Sequence, residues 1–244
     1  MKKVVLVTGG AKGIGKQIVL DFADLGYDVI INYNKSEKEA KAILKAVLSL
    51  GSDAMIIKAD VSKESEVESM FNKILQKYGT LDCLVNNSGI CEDCLLIDQS
   101  YASIKKILDV NLYGTIICSK HAAKIMASNM SGKIINISSI WGERGGSMET
   151  VYSASKAGVI GLTKAMAKEY GLNHVCVNAI CPGVIDTDMC KCYDKSVREE
   201  LKNATPFGRL GETSDVSGIV TFLASDKANF ITGQVITVDG GIEI

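Results

Sequence analysis

The fold of this chain is decided by Thr8-Gly9-Gly10-Ala11-Lys12-Gly13-Ile14-Gly15, which follows the short apolar run Val4–Val7. The same segment opens a stretch of helical periodicity over Ile14–Leu25. Glycines in such a turn let the backbone come close to a pyrophosphate, and the unpaired N–H groups of the helix N-terminus favour an anion. A strand, a glycine loop and a helix in this order predict a dinucleotide-binding unit.

Short apolar runs alternate with stretches of helical periodicity along the rest of the chain. The apolar runs predict seven strands: Val4–Val7, Val29–Ile31, Ala54–Ile57, Cys83–Val85, Ile134–Ile137, Val175–Ala179 and Val235–Val238. The stretches between them predict helices: Ile14–Leu25, Glu37–Leu50, Glu64–Lys77, Tyr101–Ser128, Tyr152–Tyr170 and Ser214–Leu223. Continuous apolar strands separated by helices favour a parallel sheet covered on both faces. We therefore predict an α/β fold of the Rossmann type, with a doubly wound seven-stranded parallel sheet and helices on both faces.

The longest irregular region runs from Gly183 to Gly211 and contains one short helical piece, about Lys195–Asn203. A long loop at the carboxyl edge of a sheet is usually a lid or a substrate-binding segment, so we predict a substrate loop at about 184–211. Its apolar side chains predict one wall of the site: Val184, Ile185, Met189, Tyr193, Val197, Leu201 and Phe207. With no linker or repeat, residues 1–244 are predicted to form a single domain.

Composition excludes several classes of protein. A chain of 244 residues with 47% hydrophobic content can bury a large core as one domain. The 27 basic and 28 acidic residues balance to a net charge of −1, which argues against nucleic-acid binding. No apolar run reaches the ~18 residues of a membrane span. The N-terminal apolar run is too short for a signal peptide, so we expect a cytoplasmic protein without a membrane partner.

Eight cysteines raise the question of zinc or redox chemistry, because Cys91-x-x-Cys94 is one close pair and Cys190-x-Cys192 another, with Cys181 upstream of the second. The spacing matches no complete set of four zinc ligands, and the chain has two histidines. We predict no metal and reduced thiols that act as small hydrophobes. Both pairs should border the active site, so sensitivity to thiol reagents is expected.

Tyr152 and Lys156 lie four residues apart in a predicted helix, where they share one face. A cation beside a phenol favours the phenolate and lowers the phenol's pKa, which predicts a general acid/base with the Ser138-Ser139 hydroxyls nearby. The alternative is an amphipathic helix with an incidental Tyr and Lys. We favour the acid/base pair because a dinucleotide loop precedes it in the chain.

The second strand indicates which cofactor is bound. NAD-binding proteins hold the ribose diol with an acidic residue about ~20 positions beyond the loop. Here that region reads Ile31-Asn32-Tyr33-Asn34-Lys35-Ser36, without a carboxylate, and Asp28 lies at the wrong end of the strand. Lys12 and Lys35 are positioned to approach a 2′-phosphate, with nothing there to repel it, which predicts NADP(H). The alternative is that both lysines are solvated surface charges.

Nearly the whole chain resembles the short-chain dehydrogenase/reductase family. The motifs that carry the resemblance are Thr8–Gly15, Asp60-Val61, Asn86-Asn87-Ser88-Gly89, Pro182-Gly183 with Thr187, and the tetrad Asn111, Ser139, Tyr152 and Lys156. The resemblance implies a catalytic role for that tetrad. Together with the loop and second-strand arguments, it gives these cofactor-binding residues: Gly9, Lys12, Gly13, Ile14, Gly15, Asn34, Lys35, Asp60, Val61, Asn87, Ser88, Gly89, Tyr152, Lys156, Pro182, Gly183, Ile185 and Thr187.

The resemblance also implies the role of each tetrad residue in a carbonyl reductase. Tyr152 protonates the carbonyl oxygen while hydride arrives from the nicotinamide, and Ser139 fixes that oxygen. Lys156 binds the ribose and depresses the pKa of the Tyr152 phenol, and Asn111 supports a water that relays protons. Ser139 is chosen over Ser138 because it lies thirteen residues before Tyr152. Small residues on the catalytic helix, and the family, further imply a homotetramer.

Within the family, the pattern is most similar to that of bacterial 3-oxoacyl-acyl-carrier-protein reductases, enzymes of fatty acid biosynthesis. The arginines that such enzymes present to the carrier protein correspond here to Met130 and Asn173. The segment around Trp141 and Glu149 resembles reductases of the aminopentanone on elongation factor P, in which Glu149 or Glu143 could pair with a substrate ammonium. Reduction of a steroid-like or small ketone, and a non-catalytic NADP-binding sensor, are further alternatives.

Overall fold

A computed structural model of the protein describes residues 2–188, 190 and 194–242, and these residues contain one seven-stranded sheet. Its strands are β1 (Val4–Val7), β2 (Asp28–Tyr33), β3 (Ala54–Lys58), β4 (Cys83–Asn86), β5 (Gly132–Ile137), β6 (Val175–Pro182) and β7 (Val235–Val238). The strand order is β3-β2-β1-β4-β5-β6-β7, and every neighbouring pair is parallel. The predicted fold class is confirmed.

Helices cover both faces of this sheet. They are α1 (Gly13–Asp24), α2 (Glu37–Ser49), α3 (Glu64–Tyr78), α4 (Tyr101–Leu108), α5 (Gly114–Ser128), α6 (Trp141–Arg144), α7 (Thr150–Glu169), α8 (Lys195–Asn203) and α9 (Thr213–Ala224). One buried cluster joins the sheet to α3, α5 and α7, and a second joins its other face to α1, α2 and α9. The two clusters sandwich the sheet, as expected for a doubly wound fold.

The first strand shows why the sequence reads as a continuous apolar run. Successive side chains of a strand point to opposite faces, so a strand covered on both sides must be apolar at every position. Val4 and Leu6 pack into the first cluster, whereas Val5 and Val7 pack into the second. All four side chains are buried.

Two predicted elements differ from the structure. The single helix predicted over Tyr101–Ser128 is interrupted by a π-helical turn at Asp109–Tyr113, where the Thr115 hydroxyl donates to the carbonyl oxygen of Asn111. A π-helical turn does not interrupt the hydrophobic periodicity of a helix, so the sequence pattern did not predict it. The strand predicted over Val175–Ala179 runs on to Pro182, because its last residues still pair with β7. The short helix α6 was also not predicted.

The strand order reverses between β1 and β4, which places a crevice beyond their carboxyl ends. The glycine loop leaves β1 at this point, and the segment that starts at Asn86 leaves β4 beside it. In the predicted substrate loop, Met189, Cys192 and Tyr193 lie outside the described residues. The single-domain assignment over residues 1–244 remains a prediction. Among the described helices, none is long and apolar enough to cross a membrane.

Candidate active site

The glycine loop has the geometry that a dinucleotide requires. Gly9 and Gly13 have φ angles of +61° and +52°, in the left-handed region that favours glycine. A Cβ atom at Gly15 would lie 2.4 Å from the carbonyl oxygen of Gly9, so the close approach of helix and loop excludes any side chain there. Helix α1 begins with neither a side-chain cap nor an acidic residue in its first turn. Its N-terminal N–H groups therefore fit an anionic pyrophosphate.

The segment that follows β4 holds this loop in place. The Thr8 hydroxyl accepts hydrogen bonds from the backbone N–H groups of Asn87 and Ser88, at 2.9 and 3.1 Å. The Asn87 side chain donates in return to the carbonyl oxygens of Thr8 and Gly9. The predicted residues Asn87 and Ser88 thus lie directly against the loop, so β1 and β4 present one continuous surface.

Asn32 is a loop-supporting residue that sequence reasoning missed. Its buried side chain accepts from the Gly9 N–H at 3.2 Å and donates to the carbonyl oxygens of Ile57 and Ala59. The available signal was a polar residue near the end of the buried part of the strand Asp28–Tyr33. A buried amide among apolar neighbours needs partners, and here those partners are the loop and the strand beside it.

Asp60 and Asn34, both predicted to bind the cofactor, lie close together at the ends of β3 and β2. Burial raises the pKa of Asp60, but hydrogen bonds from the Ser62 hydroxyl and the Ser62 N–H, together with the nearby Asn34 side chain, outweigh it, so the pKa lies below its usual range. Val61 is buried, whereas Asn34 and Lys35 are exposed. The carboxylate is thus ionised and oriented at the edge of the crevice.

The expectation that nothing near Lys12 would repel a 2′-phosphate is wrong. The Lys12 ammonium forms an ion pair of 3.0 Å with Glu39, a residue of the first turn of α2. Both side chains are nearly half exposed. The acidic residue lies beyond the second strand, outside the segment where such a carboxylate was sought. Lys35 remains exposed on the same side of the crevice.

The tetrad residue Asn111 lies fully buried in the π-helical turn. Its side chain accepts from the Ile90 N–H at 2.8 Å and donates to the Ile90 carbonyl at 2.9 Å and to the Ser155 hydroxyl at 3.1 Å. A Cβ atom at Gly89 would lie 3.4 Å from the Lys156 ammonium and 3.6 Å from the Asn111 amide oxygen. Gly89, Asn111 and Lys156 therefore meet at one point.

Lys156 is almost completely buried on α7. Its ammonium donates to the carbonyl oxygen of Ile137 at 2.8 Å and lies 5.6 Å from the centre of the Tyr152 ring. Burial lowers the pKa of the Lys156 ammonium to about 8. The Ser138 hydroxyl donates to the Lys156 backbone carbonyl at 2.9 Å. Ser138 thus anchors the catalytic helix, which leaves Ser139 to face Tyr152.

The hydroxyl of Ser139 lies close to the phenol of Tyr152 and lowers its pKa. Burial raises the pKa of Tyr152 well above its usual range, and the Ser139 hydroxyl offsets only part of this increase. The lowering of this pKa by Lys156 stays a prediction, and in this structure burial is the dominant effect. The reason is geometric: the ammonium bonds to the Ile137 carbonyl rather than to the phenol, so desolvation is the larger effect.

The predicted nicotinamide segment follows β6. The Gly183 N–H donates to the Val238 carbonyl, and a Cβ atom at Gly183 would lie 2.6 Å from the Asp239 side chain. Ile185 is buried and forms a β-bridge with Gly211. The Pro182 carbonyl accepts from the Ile140 N–H, which ties this segment to the end of β5.

Thr187 completes this segment on the side of the glycine loop. A Cβ atom placed at Gly13 would lie 3.5 Å from the Thr187 methyl group. The segment after β6 therefore closes over the crevice from the side opposite to β4.

Glu149 defines a polar wall beside Tyr152. Its carboxylate accepts from the Cys91 thiol at 3.3 Å and from the Trp141 side chain, and burial raises its pKa. The Cys91 sulfur and one carboxylate oxygen from each of Asp93 and Glu149 lie within 4.8 Å of one another. Glu143, the other candidate for a substrate ammonium, instead accepts from the Thr237 hydroxyl at 2.7 Å. Of the two carboxylates, Glu149 borders the predicted reaction centre.

The cysteines of the two close pairs differ in their surroundings. Cys94 donates its N–H to the Met148 carbonyl and its thiol to the Leu95 carbonyl. Cys181 and Cys190 are buried, and burial raises the pKa of Cys181 to about 12. Cys83, Cys91, Cys94, Cys118, Cys176 and Cys181 are free thiols, and the Cys190 thiol donates to the Ile185 carbonyl at 3.0 Å. Cys192 lies outside the described residues.

Comparisons with known proteins agree with this geometry. The sequence model of the family described as "Enoyl-(Acyl carrier protein) reductase" matches residues 9–243. The chain is 40% identical over 242 residues to the 3-oxoacyl-[acyl-carrier-protein] reductase of Staphylococcus aureus, covering 99% of this chain and 98% of the relative. A relative of that name from Staphylococcus epidermidis is also 40% identical, over 99% of both chains. One from Synechocystis sp. is 40% identical over 241 residues, covering 98% of this chain and 96% of the relative.

Proposed function

The chain belongs to the short-chain dehydrogenase/reductase family, and from this premise we propose that it is an NADPH-dependent reductase of 3-oxoacyl thioesters. It is an oxidoreductase acting on CH-OH/C=O groups, and its relatives are named for reduction of a 3-oxoacyl group. The observation that carries the proposal is that Ser139 lies beside the Tyr152 phenol, with the Lys156 ammonium next to the ring and the glycine loop across the crevice.

The described residues fit a bound dinucleotide. The N-terminus of α1 and its glycines would hold the pyrophosphate, Asp60 and Val61 the adenine side, and Lys156 the ribose beside the nicotinamide. When bound, the nicotinamide supplies the hydride.

Tyr152 donates the proton to the substrate's carbonyl oxygen. Its raised pKa keeps the phenol protonated at neutral pH, which suits a proton donor in the direction of reduction. Ser139 holds the same oxygen by a second hydrogen bond. The Lys156 ammonium lies close enough to stabilise negative charge on the phenolate that remains, and Asn111 holds Ile90 and Ser155 around it. Such acid/base catalysis contributes ~10²–10⁴ in rate.

The test is Tyr152→Phe, assayed by NADPH oxidation with an acetoacetyl thioester. We expect kcat to fall by about 10²-fold or more, because the proton donor is lost while the ring is kept. Binding of NADPH, followed by its fluorescence, should change little. Wild-type turnover by Tyr152→Phe would refute the proposal. NADPH binding without turnover by the wild-type protein, across a broad panel of carbonyl compounds, would instead support the alternative of a sensor.

NADP(H) is our proposal for the cofactor, supported by the lack of an acidic residue at the end of β2 and by the exposed Lys35. The Lys12–Glu39 pair partly neutralises the second lysine. Replacement of Glu39 by Gln should therefore lower the KM for NADPH severalfold, since it releases the Lys12 ammonium for the 2′-phosphate. The KM for NADH should stay constant. An equal change for both cofactors would contradict a 2′-phosphate at this site.

In this proposal the enzyme recognises the 3-oxoacyl thioester group itself and not the carrier protein to which that group is attached. The carrier-docking positions are Met130, half exposed at a φ of +52°, and Asn173, whose side chain donates to the Met130 sulfur at 3.7 Å. Neither is a cation that would attract an acidic carrier protein. We expect the carrier-linked and coenzyme A-linked forms of one acyl group to be turned over with similar kcat/KM. A preference of about a hundredfold for the carrier form would contradict this.

A second candidate substrate is the aminopentanone on elongation factor P, favoured by the Glu149 carboxylate at the polar wall beside Tyr152. Turnover of an acetoacetyl thioester, compared with turnover of an amino-ketone, distinguishes the two. If the amino-ketone is the substrate, Glu149→Gln should impair its turnover far more than that of the thioester. Reduction of a steroid-like or small ketone by this site remains a further alternative. A homotetramer in the cytoplasm also remains a prediction, and light scattering at micromolar concentration tests the tetramer.

A further inference from the structure

Lys133 is a buried cation at the opposite end of the sheet from the candidate active site. It is the second residue of β5, and in the strand register it lies between Cys83 of β4 and Cys176 of β6. Registered neighbours in a sheet point their side chains to the same face. The three side chains therefore form one row, cysteine–lysine–cysteine, across three adjacent strands. Lys133 and Cys176 are each only 8% exposed.

Within this row, the lysine is bonded to one of the two sulfurs. The Lys133 ammonium donates to the Cys176 Sγ at 3.4 Å and to the Ala228 carbonyl at 3.2 Å. The Cys176 thiol donates in turn to the Asn229 carbonyl at 3.6 Å. The bond to Ala228 and the β5–β6 register fix both reacting groups, so a nitrogen–sulfur bond can form with little movement of the backbone.

The acidic residues near this row are bonded elsewhere. Asp226 forms an ion pair of 2.8 Å with Lys3, and the Asp82 carboxylate accepts from the Val4 N–H at 2.7 Å. Among the ion pairs of the described residues, none includes Lys133. A buried lysine with a sulfur and a carbonyl as its hydrogen-bond partners is unusual, because buried charges are generally paired with an opposite charge.

We propose that Lys133 and Cys176 form an oxidation site, in which peroxide joins the lysine nitrogen to the cysteine sulfur by a covalent cross-link. This site lies outside the proposed catalytic machinery and does not depend on the proposed function. The cross-link ties β5 to β6 at the end of the sheet that is remote from Tyr152.

The chemistry requires hydrogen peroxide as the oxidant and proceeds in two steps. In the first, an oxygen of the peroxide bonds to Sγ as the O–O bond breaks; the thiol becomes a sulfenic acid and one water is released. Sulfur loses two electrons and the peroxide gains them. In the second, the Lys133 amine, after giving its extra proton to solvent, attacks the sulfur. The N–S bond forms, the S–O bond breaks, and the hydroxide leaves as water with a proton of the amine.

The experiment treats the full-length protein with hydrogen peroxide, alkylates the remaining thiols, and maps the tryptic peptides by mass spectrometry. We expect the peptides that contain Lys133 and Cys176 to be joined, with a mass lower by two hydrogen atoms than the sum of the separate peptides. Trypsin should no longer cleave after Lys133, and dithiothreitol should restore both the cleavage and the free thiol. The wild-type map decides the question without any variant.

Three variants identify the partners. Cys176→Ser and Lys133→Arg should each abolish the cross-link, whereas Cys83→Ser, which removes the sulfur on the other side of Lys133, should keep it. Circular dichroism establishes that each variant is folded. A map in which Cys176 is a sulfinic acid or a free thiol, with normal cleavage after Lys133, would overturn the proposal. So would a cross-link to Cys83, or a joined pair that retains an oxygen atom between nitrogen and sulfur.

Discussion

The glycine loop and the substrate rim border the same crevice but are held in different ways. The loop, Thr8–Gly15, is fixed by hydrogen bonds from Asn32 and Asn87 and by the close approach of Gly15 to Gly9. The rim segment, Cys91–Ile97, has no regular secondary structure and exposes three large apolar side chains. Several hydrogen bonds and close contacts therefore hold the cofactor half of the site in one conformation. The substrate half is irregular and exposed, so its sequence can vary. Binding of the cofactor should be sensitive to small changes, and substrate choice should tolerate larger ones.

The largest effect is expected from Gly15→Ala. Its Cβ atom would lie 2.4 Å from a backbone oxygen, so the loop must shift. Overpacking of this kind costs about 1–3 kcal/mol, which corresponds to a loss of roughly fivefold to 150-fold in NADPH affinity if the whole cost falls on the bound state. Fluorescence titration measures it. The matched control is Gly218→Ala in α9, where a Cβ atom meets nothing within 4 Å and affinity should be unchanged. If Gly15→Ala bound NADPH as tightly as the wild type, the loop would be no more tightly constrained than the rim.

Lys156 stands between the two regions, and its pKa of about 8 predicts the pH dependence of the reaction. Lysine is charged below its pKa, so kcat/KM should be constant below pH about 8 and fall about tenfold per unit above it. The Tyr152 phenol, with its raised pKa, stays protonated throughout this range. In Lys156→Arg the cation persists, so the decline should disappear even if overall activity is lower. A decline at the same pH in that variant would show that another group is responsible.

Asn32→Asp tests how strongly the loop depends on a single buried amide. The substitution removes the donors to Ile57 and Ala59 and leaves a carboxylate in a buried position. We expect the free energy of unfolding in urea to fall by about 1–3 kcal/mol. Asn72→Asp, at an exposed position within α3, is the control and should change it by less than about 0.5 kcal/mol. If both variants were equally stable, Asn32 would not be a support of the loop.

The smallest effect is expected at the rim, in Ile97→Ser. Ile97 is 89% exposed, so its replacement should change the free energy of unfolding by less than about 0.5 kcal/mol and leave NADPH affinity as it is. The KM of the Ile97→Ser variant for acyl thioesters is the one quantity that this substitution is expected to alter. A loss of stability as large as that of Asn32→Asp would mean that the rim is as firmly held as the loop.

Much of the fold followed from local patterns, whereas the tetrad followed from the family resemblance. The strands, helices and glycine loop can be predicted from local sequence, because hydrophobic periodicity and the conformational freedom of glycine act over a few residues. The roles of Asn32 and Glu39 did not follow. Asn32 supports a loop 23 residues before it, and Glu39 reaches Lys12 only because α2 packs beside α1. Contacts of this kind depend on how elements pack, which a window of sequence does not contain.

The sequence by itself determined the order of strands and helices, the position of the dinucleotide loop and the spacing of Tyr152 and Lys156. Only the tertiary structure decided the state of those two groups. Burial raises the pKa of the Tyr152 phenol and lowers that of the Lys156 ammonium, and the ammonium bonds to Ile137 rather than to the phenol. Spacing fixes which side chains are neighbours, but the free energy of a charge depends on the water that the surrounding elements exclude.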